Sequence, residues 1–181
     1  MRLFVAVDIP KNELIRSFLD KIRGCDPDLK VVAPENLHLT LKFLGETDKD
    51  PAEVEQAIEK ASKGVESFKM ALEGCGVFPN RNYIRVVWIG VKDAGNLKEL
   101  ADELDLELET LGFKRESRSF LPHLTVARVK SKRGKEEIMR VLDEFNGVKF
   151  CEFEVSELKL YQSTLLPGGP VYTQLREVRL G

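Results

Sequence analysis

The chain has 181 residues, 43% hydrophobic and 32% charged, with a formal net charge of −2. That balance belongs to a folded soluble domain and excludes intrinsic disorder; the near-neutral total gives no global basic footprint for nucleic acid, so any phosphate site must come from a local cluster. Cys25, Cys75 and Cys151 lie far apart without CxxC spacing, and no stretch approaches the roughly 18 apolar residues of a membrane helix, so a disulfide framework and a membrane span are excluded and a reducing cytoplasm is expected.

Residues 2–9 alternate apolar and polar and are rich in Phe and Val, which predicts a strand. Residues 11–23 place Leu14, Ile15, Phe18, Leu19 and Ile22 at helical spacing, and Gly24 ends that helix. A short strand over 29–33, a turn at Pro34-Glu35-Asn36 and a strand over 37–44 follow. Asp50 is an N-cap and Pro51 a first-turn residue for a helix over 52–61. Residues 68–78 read as a strand bulged around Gly74 and Gly76. After a turn at 79–82 the pattern restarts: a strand over 83–91, a helix over 96–111 stopped by Gly112, and a short segment around Phe113. Next come a strand over 123–129, a basic loop at 130–134, a helix over 135–145, one long strand region over 148–161, a loop at 167–170 and a strand over 171–180.

Both halves, 1–82 and 83–181, therefore repeat strand, helix, strand, strand, helix, strand. The expected fold is α+β: a single bilobal, duplicated domain over 1–181 with two antiparallel-rich sheets, helices on the outside and a central cleft.

The two histidines of the chain sit in one frame, His38-Leu39-Thr40-Leu41 and, 85 residues later, His123-Leu124-Thr125-Val126. Period two sends each His and Thr to one strand face. Two imidazoles near the usual histidine range can act as an acid and a base around one electrophile, and the two threonine hydroxyls can donate to phosphate oxygens. With two histidines and no HExxH, neither a metal site nor a cofactor is expected. Lys42 shares strand parity with His38 and Thr40, which predicts a phosphate partner in the cleft. Arg128 has the opposite parity to His123 and reaches a phosphate only if the strand bulges or ends first. Phe4 is a candidate base-stacking platform. Arg115, Arg118, Lys130, Lys132 and Arg133 cluster around the second motif and offer a local basic patch.

These residues resemble the 2H phosphoesterase superfamily, and within it the RNA 2',3'-cyclic phosphodiesterases, also called 2'-5' RNA ligases. The likeness covers nearly the whole chain: residues 2–7, His38 to Gly45, Pro122 to Arg128, Leu160-Tyr161-Gln162-Ser163 and Gly169-Pro170-Val171-Tyr172. The resemblance implies metal-independent opening of a 2',3'-cyclic phosphate on RNA, a tRNA half for instance, to a 2'-phosphate. It makes His38 the proton donor and His123 the proton acceptor, with Thr40 and Thr125 as phosphate contacts. A 5'-hydroxyl in place of water would give a 2'-5' linkage. Two other functions fit the same motifs: a phosphodiesterase for a small cyclic nucleotide, and a non-catalytic nucleotide- or RNA-binding module. The charged surface suggests a monomer without membrane attachment.

Overall fold

In chain order the elements are β1 (Arg2–Asp8), α1 (Glu13–Arg23), β2 (Lys30–Val31), β3 (His38–Glu46), α2 (Pro51–Ala61), β4 (Phe68–Asn80) and β5 (Tyr83–Lys92). These are followed by α3 (Asn96–Glu109), β6 (His123–Arg128), α4 (Lys135–Glu144), β7 (Lys149–Val155), β8 (Glu157–Leu166) and β9 (Gly169–Arg179). The structure is a computed structural model and describes residues 1–93 and 95–181. The helix starts follow local chemistry. Asn12 Oδ1 accepts from Ile15 N at 2.9 Å, and Asp50 Oδ1 accepts from Ala52 N at 2.9 Å with Pro51 just inside the helix. At α3, Asp93 Oδ2 accepts from Leu97 N at 2.6 Å.

The strands form two antiparallel sheets, a four-stranded one in the order β3-β1-β8-β9 and a five-stranded one in the order β2-β6-β5-β4-β7. Helices α2 and α3 pack on each other and on the first sheet, through β3, β8 and β9. Helix α1 packs against α4 and β2, and Asn12 Nδ2 donates to Phe150 O of β7 at 3.0 Å. One continuous apolar core runs through both layers and includes Phe18, Leu39, Ile58, Leu72, Ile89, Leu104 and Leu124, all buried. Each sheet draws on both halves of the chain: β4 pairs with β5 and β7, while the C-terminal β8 pairs with β1.

Several sequence expectations change here. The single strand region expected over 148–161 is two strands: β7 pairs with β4 in one sheet, then β8 pairs with β1 in the other. The break falls at Ser156, whose carbonyl accepts from Leu180 N at 2.8 Å. The stretch around Phe113 forms no strand; the edge next to β6 is taken by the two-residue β2. The loop expected at 167–170 is a tight hairpin turn, and β9 already begins at Gly169. The bulge expected in β4 is present between Leu72 and Cys75, with Gly74 at φ 71°. A Cβ at Gly76 would run into the Trp88 ring, so glycine there lets the indole lie flat on β4.

Candidate active site

The two His-Leu-Thr segments open β3 and β6, each paired with the central neighbour of its sheet. On β3, Asp8 faces His38, Val7 faces Leu39 and Ala6 faces Thr40. On β6, Gly90 faces His123, Ile89 faces Leu124 and Trp88 faces Thr125. Immediately afterwards both strands bulge. Val5 pairs with Lys42, so Leu41 is the extra residue on β3; Val87 pairs with Ala127, so Val126 is the extra residue on β6. One extra residue inverts strand parity downstream. In both strands, consecutive residues (Leu41 and Lys42, Val126 and Ala127) are therefore buried, and the next side chain turns back to the histidine face. That side chain is Phe43 on β3 and Arg128 on β6.

The consequence for the expected site is direct. A cleft of about 470 Å³ is lined by His38, Thr40, His123 and Thr125 together, with Arg128, Phe43, Phe4 and Arg2 among its other walls. Strands β3 and β6 touch without sharing hydrogen bonds, so the cleft lies between the two sheets. The bulge brings Arg128 to the cleft in spite of its parity in the sequence.

Lys42 is a correction. The bulge carries it to the opposite face, where its side chain is 2% exposed and its Nζ lies 2.5 Å from Asp105 Oδ1 of α3 and donates to Lys114 O at 2.7 Å. The Asp105 carboxyl is pushed up by burial, but its bonds to Lys42, Glu116 N and Arg115 outweigh this and hold it below the usual carboxylate range. Lys42 is thus an internal strut between β3, α3 and the segment that leads to the second motif. Phe4 is a correction of degree. It lines the cleft but is only 4% exposed, with Tyr161 stacked at 5.4 Å and Tyr172 edge-on at 5.0 Å, so it is floor and not an open platform. The open aromatic face is Phe43, 67% exposed.

Both histidines are held alike. His38 Nδ1 lies 3.0 Å from Asn36 O, and His123 Nδ1 lies 2.7 Å from Leu121 O. A carbonyl can only accept, so in each ring Nδ1 carries the hydrogen and Nε2 is left for chemistry. Among the described residues neither threonine hydroxyl has a hydrogen-bond partner, so both can donate to a ligand. Arg2 and Arg128 make no ion pair among the described residues, which leaves two free cations on the cleft. No group of three His, Cys, Asp or Glu side chains suited to a metal ion occurs among the described residues, and none of their helices is long and apolar enough to cross a membrane.

The basic cluster around the second motif lies elsewhere. Arg115 faces Asp105 and Glu109; Arg133 pairs with Asp26 and Asp28; Lys130 and Lys132 line a separate groove with Arg85 and Lys135; Arg118 is exposed. Of the segment 160–163, Ser163 lines the cleft, whereas Tyr161 is buried behind it. Sequence reasoning missed Phe43, Arg2, Asn36, Phe120 and Tyr172 as cleft residues. Phe43 and Arg2 carried no signal of their own, since a bulge and the neighbouring sheet decide where they point.

A sequence model of the 2'-5' RNA ligase superfamily matches residues 10–165. The chain is 43% identical to a Methanocaldococcus jannaschii protein named RNA 2',3'-cyclic phosphodiesterase, over 98% of this chain and 99% of that one. It is 42% identical to an Archaeoglobus fulgidus protein of the same name, over 97% and 98%. Among solved structures it resembles a Thermus thermophilus protein with a TM-score of 0.77 and 31% identity, covering 99% of this chain and 98% of that one. It also resembles E. coli LigT complexed with 3'-AMP, with a TM-score of 0.72 and 28% identity over 99% and 97%. With paired His-x-Thr strands around one cleft and this likeness along its whole length, the chain belongs to the 2'-5' RNA ligase superfamily, in its RNA 2',3'-cyclic phosphodiesterase branch.

Proposed function

We propose that the protein hydrolyses 2',3'-cyclic phosphate ends of RNA to 2'-phosphomonoesters without a metal ion. The observation that carries the reading is the convergence of both histidines and both threonines on one cleft, each imidazole fixed through Nδ1 so that its Nε2 is the reactive nitrogen. The names of the relatives supply the substrate class.

In this reading the cyclic phosphate lies between β3 and β6. Water attacks phosphorus while His123 Nε2 takes its proton, the bond from phosphorus to the 3' oxygen breaks, and His38 gives that oxygen a proton. Thr40 and Thr125 donate to the non-bridging oxygens, where negative charge builds in the transition state. Arg128 adds a cation on the same face, and Phe43 offers its ring to the terminal base. With a 5'-hydroxyl in place of water, the same proton transfers form a 2'-5' linkage. Exchanging the two histidine roles would release the 2' oxygen and leave a 3'-phosphate, so the product identifies the acid.

The test is an oligonucleotide ending in a 2',3'-cyclic phosphate, incubated with the protein in EDTA, with the product analysed for phosphate position. The expected result is a 2'-phosphate, with turnover lost at least about 10²-fold in His38→Ala and in His123→Ala, in keeping with the usual share of one acid or base. Tight binding without turnover, or turnover that needs an added metal, overturns the proposal.

A further inference from the structure

The strand register around the two histidines is the same in both sheets, and it places different residues beside the two imidazoles. Taking each histidine strand with its neighbour, Phe4, Val5, Ala6, Val7 and Asp8 on β1 stand where Val86, Val87, Trp88, Ile89 and Gly90 stand on β5. The cross-strand partner of His38 is therefore a carboxylate, and that of His123 is a glycine. Gly90 is fixed by packing, because a Cβ there would run into the carbonyl of Glu73 on β4. No carboxylate can occupy the second position without remaking that sheet.

Asp8 Oδ1 lies 3.3 Å from His38 Nε2. The same carboxylate accepts from Tyr161 Oη at 2.5 Å and from Lys159 Nζ at 2.5 Å, both on β8. His38 is further enclosed by the Tyr161 ring at 4.5 Å and the Tyr172 ring of β9 at 5.5 Å, and Glu157 sits 3.3 Å from Lys159. Burial pushes the Asp8 carboxyl up, but the bonds from His38, Lys159 and Tyr161 win and hold it well below the usual carboxylate range. The Tyr161 hydroxyl is pushed up by burial and by Asp8, so it remains a donor. His123, by contrast, meets the edge of Phe78 at 5.0 Å and has no carboxylate in ion-pair reach among the described residues.

We propose that Asp8 is a positioning residue that makes His38 the acid of the pair. The ring of His38 has an acceptor beside each nitrogen, Asn36 O at Nδ1 and Asp8 at Nε2, so a proton on Nε2 faces a carboxylate. The ring of His123 has an acceptor at Nδ1 alone and keeps a bare Nε2, ready to take a proton. The Asp8 contact is longer than the 2.5 Å bonds from Tyr161 and Lys159, so it favours the charged ring without holding its Nε2 proton away from a leaving oxygen. This inference rests on the hydrolase reading above and adds to it the origin of the direction of proton flow.

The experiment compares the wild type with Asp8→Asn, which keeps the shape and removes the charge. The expected result is a kcat about 10- to 100-fold lower, less than the 10²- to 10⁴-fold of removing an acid outright, with KM within about twofold. The alkaline limb of the pH–rate profile, where the donor loses its proton, moves to lower pH because the charge that favoured protonated His38 is gone; the acid limb, set by His123, stays. A strut between β1 and β8 would lower thermal stability or kcat without moving one limb alone, and that outcome overturns the proposal. Should Asp8→Asn fail to fold, Asp8→Asn/Lys159→Met removes the orphaned ammonium as well and is read the same way. A second readout needs no turnover, which separates this inference from the hydrolase reading. In histidine side-chain ¹⁵N spectra, assigned with His38→Gln, the Nε2 proton of His38 outlasts that of His123 as pH rises, and the two leave together in Asp8→Asn. Loss of both protons together in the wild type refutes the inference whatever the substrate.

Discussion

Lys42→Met separates a strut from a substrate contact, because the two readings predict opposite results. In the structure the Lys42 ammonium is enclosed, with its side chain 2% exposed, and it neutralises Asp105, whose side chain is 11% exposed. Taking away Lys42 leaves the Asp105 carboxylate with only the half-exposed Arg115, 3.6 Å away, as counter-charge, and a buried charge stranded in this way costs up to about 3–5 kcal/mol. The lost bond to Lys114 O falls within that range. For a chain of this length about 4 kcal/mol corresponds to a fall in Tm of roughly 8–16 °C. The companion change Asp105→Asn in the same chain removes the stranded charge and should recover more than half of the loss, while the bonds from Glu116 N to the former carboxylate keep recovery incomplete. Urea unfolding of the wild type, both single variants and the double variant supplies the cycle. Because the folded carboxyl of Asp105 lies below its ordinary 3.8, its contribution is present at neutral pH and is lost as pH falls through that depressed value. The variants should therefore converge with the wild type only in strong acid. In the folded range kcat/KM should stay within about threefold of the wild type. A Lys42→Met protein of unchanged stability with KM raised tenfold or more would refute the placement of Lys42 and the bulge argument with it.

Arg128→Ala should lower kcat/KM about 10- to 100-fold, the range of one lost charged hydrogen bond of 1.5–3 kcal/mol, with stability within about 0.5 kcal/mol because the side chain is exposed; steady-state kinetics and a melt check both. Phe43→Ala should raise KM for the oligonucleotide by up to about 100-fold, as loss of one stacked base at 1–3 kcal/mol predicts, and an unchanged KM would remove Phe43 from the substrate path. Gly76→Ala should cost about 1–3 kcal/mol, since the new methyl displaces the Trp88 ring, and tryptophan fluorescence should report the displacement. The Cys75 thiol is pushed up to about 11 by burial, so at pH 8 its alkylation by iodoacetamide should run about 10²-fold slower than that of a free thiol, read by peptide mass mapping.

The legible part of the fold was what local chemistry dictates. Asn96, Asp50 and Pro51 mark helix starts that the structure keeps to within a residue or two, and the glycine pair in β4 announced its bulge. What stayed hidden depends on partners remote in sequence. Little in residues 148–161 says that the chain changes sheets at Ser156: the alternation only shifts phase across Ser156-Glu157, from Cys151, Phe153 and Val155 to Leu158 and Leu160, and a strand bulge would give the same pattern. The two bulges after the His-x-Thr segments were equally silent: Leu41-Lys42 and Val126-Ala127 carry no glycine, and the irregularity appears only against Val5 and Val87. Hence parity placed Lys42 in the cleft and left Arg128 conditional on a bulge. Asp8 gave no signal either, since its meaning lies in the pairing with His38 thirty residues on and with Tyr161 at the far end of the chain.

The same frame explains why a duplicated site can act on a substrate with no symmetry. The cross-strand pairs put the two histidines and two threonines in equivalent places, which suits a tetrahedral phosphorus whose non-bridging oxygens are alike. The end of an RNA chain is not alike on its two sides: one side carries a base, and of the two ester oxygens only one leaves. Several equivalent positions differ in chemistry, and two of these pairs differ in a way that suits such a substrate. Phe43 and Arg128 occupy the same place after their bulges, one an aromatic face and the other a cation; Asp8 and Gly90 occupy the same place beside the histidines, one a charge and the other none. Lys42 and Ala127, a further pair, face inward, with Lys42 meeting Asp105 across the core. The backbone repeat sets distances, and substitutions within it supply the aromatic face, the carboxylate and the internal ion pair to which the proposed base side, proton direction and support are attached.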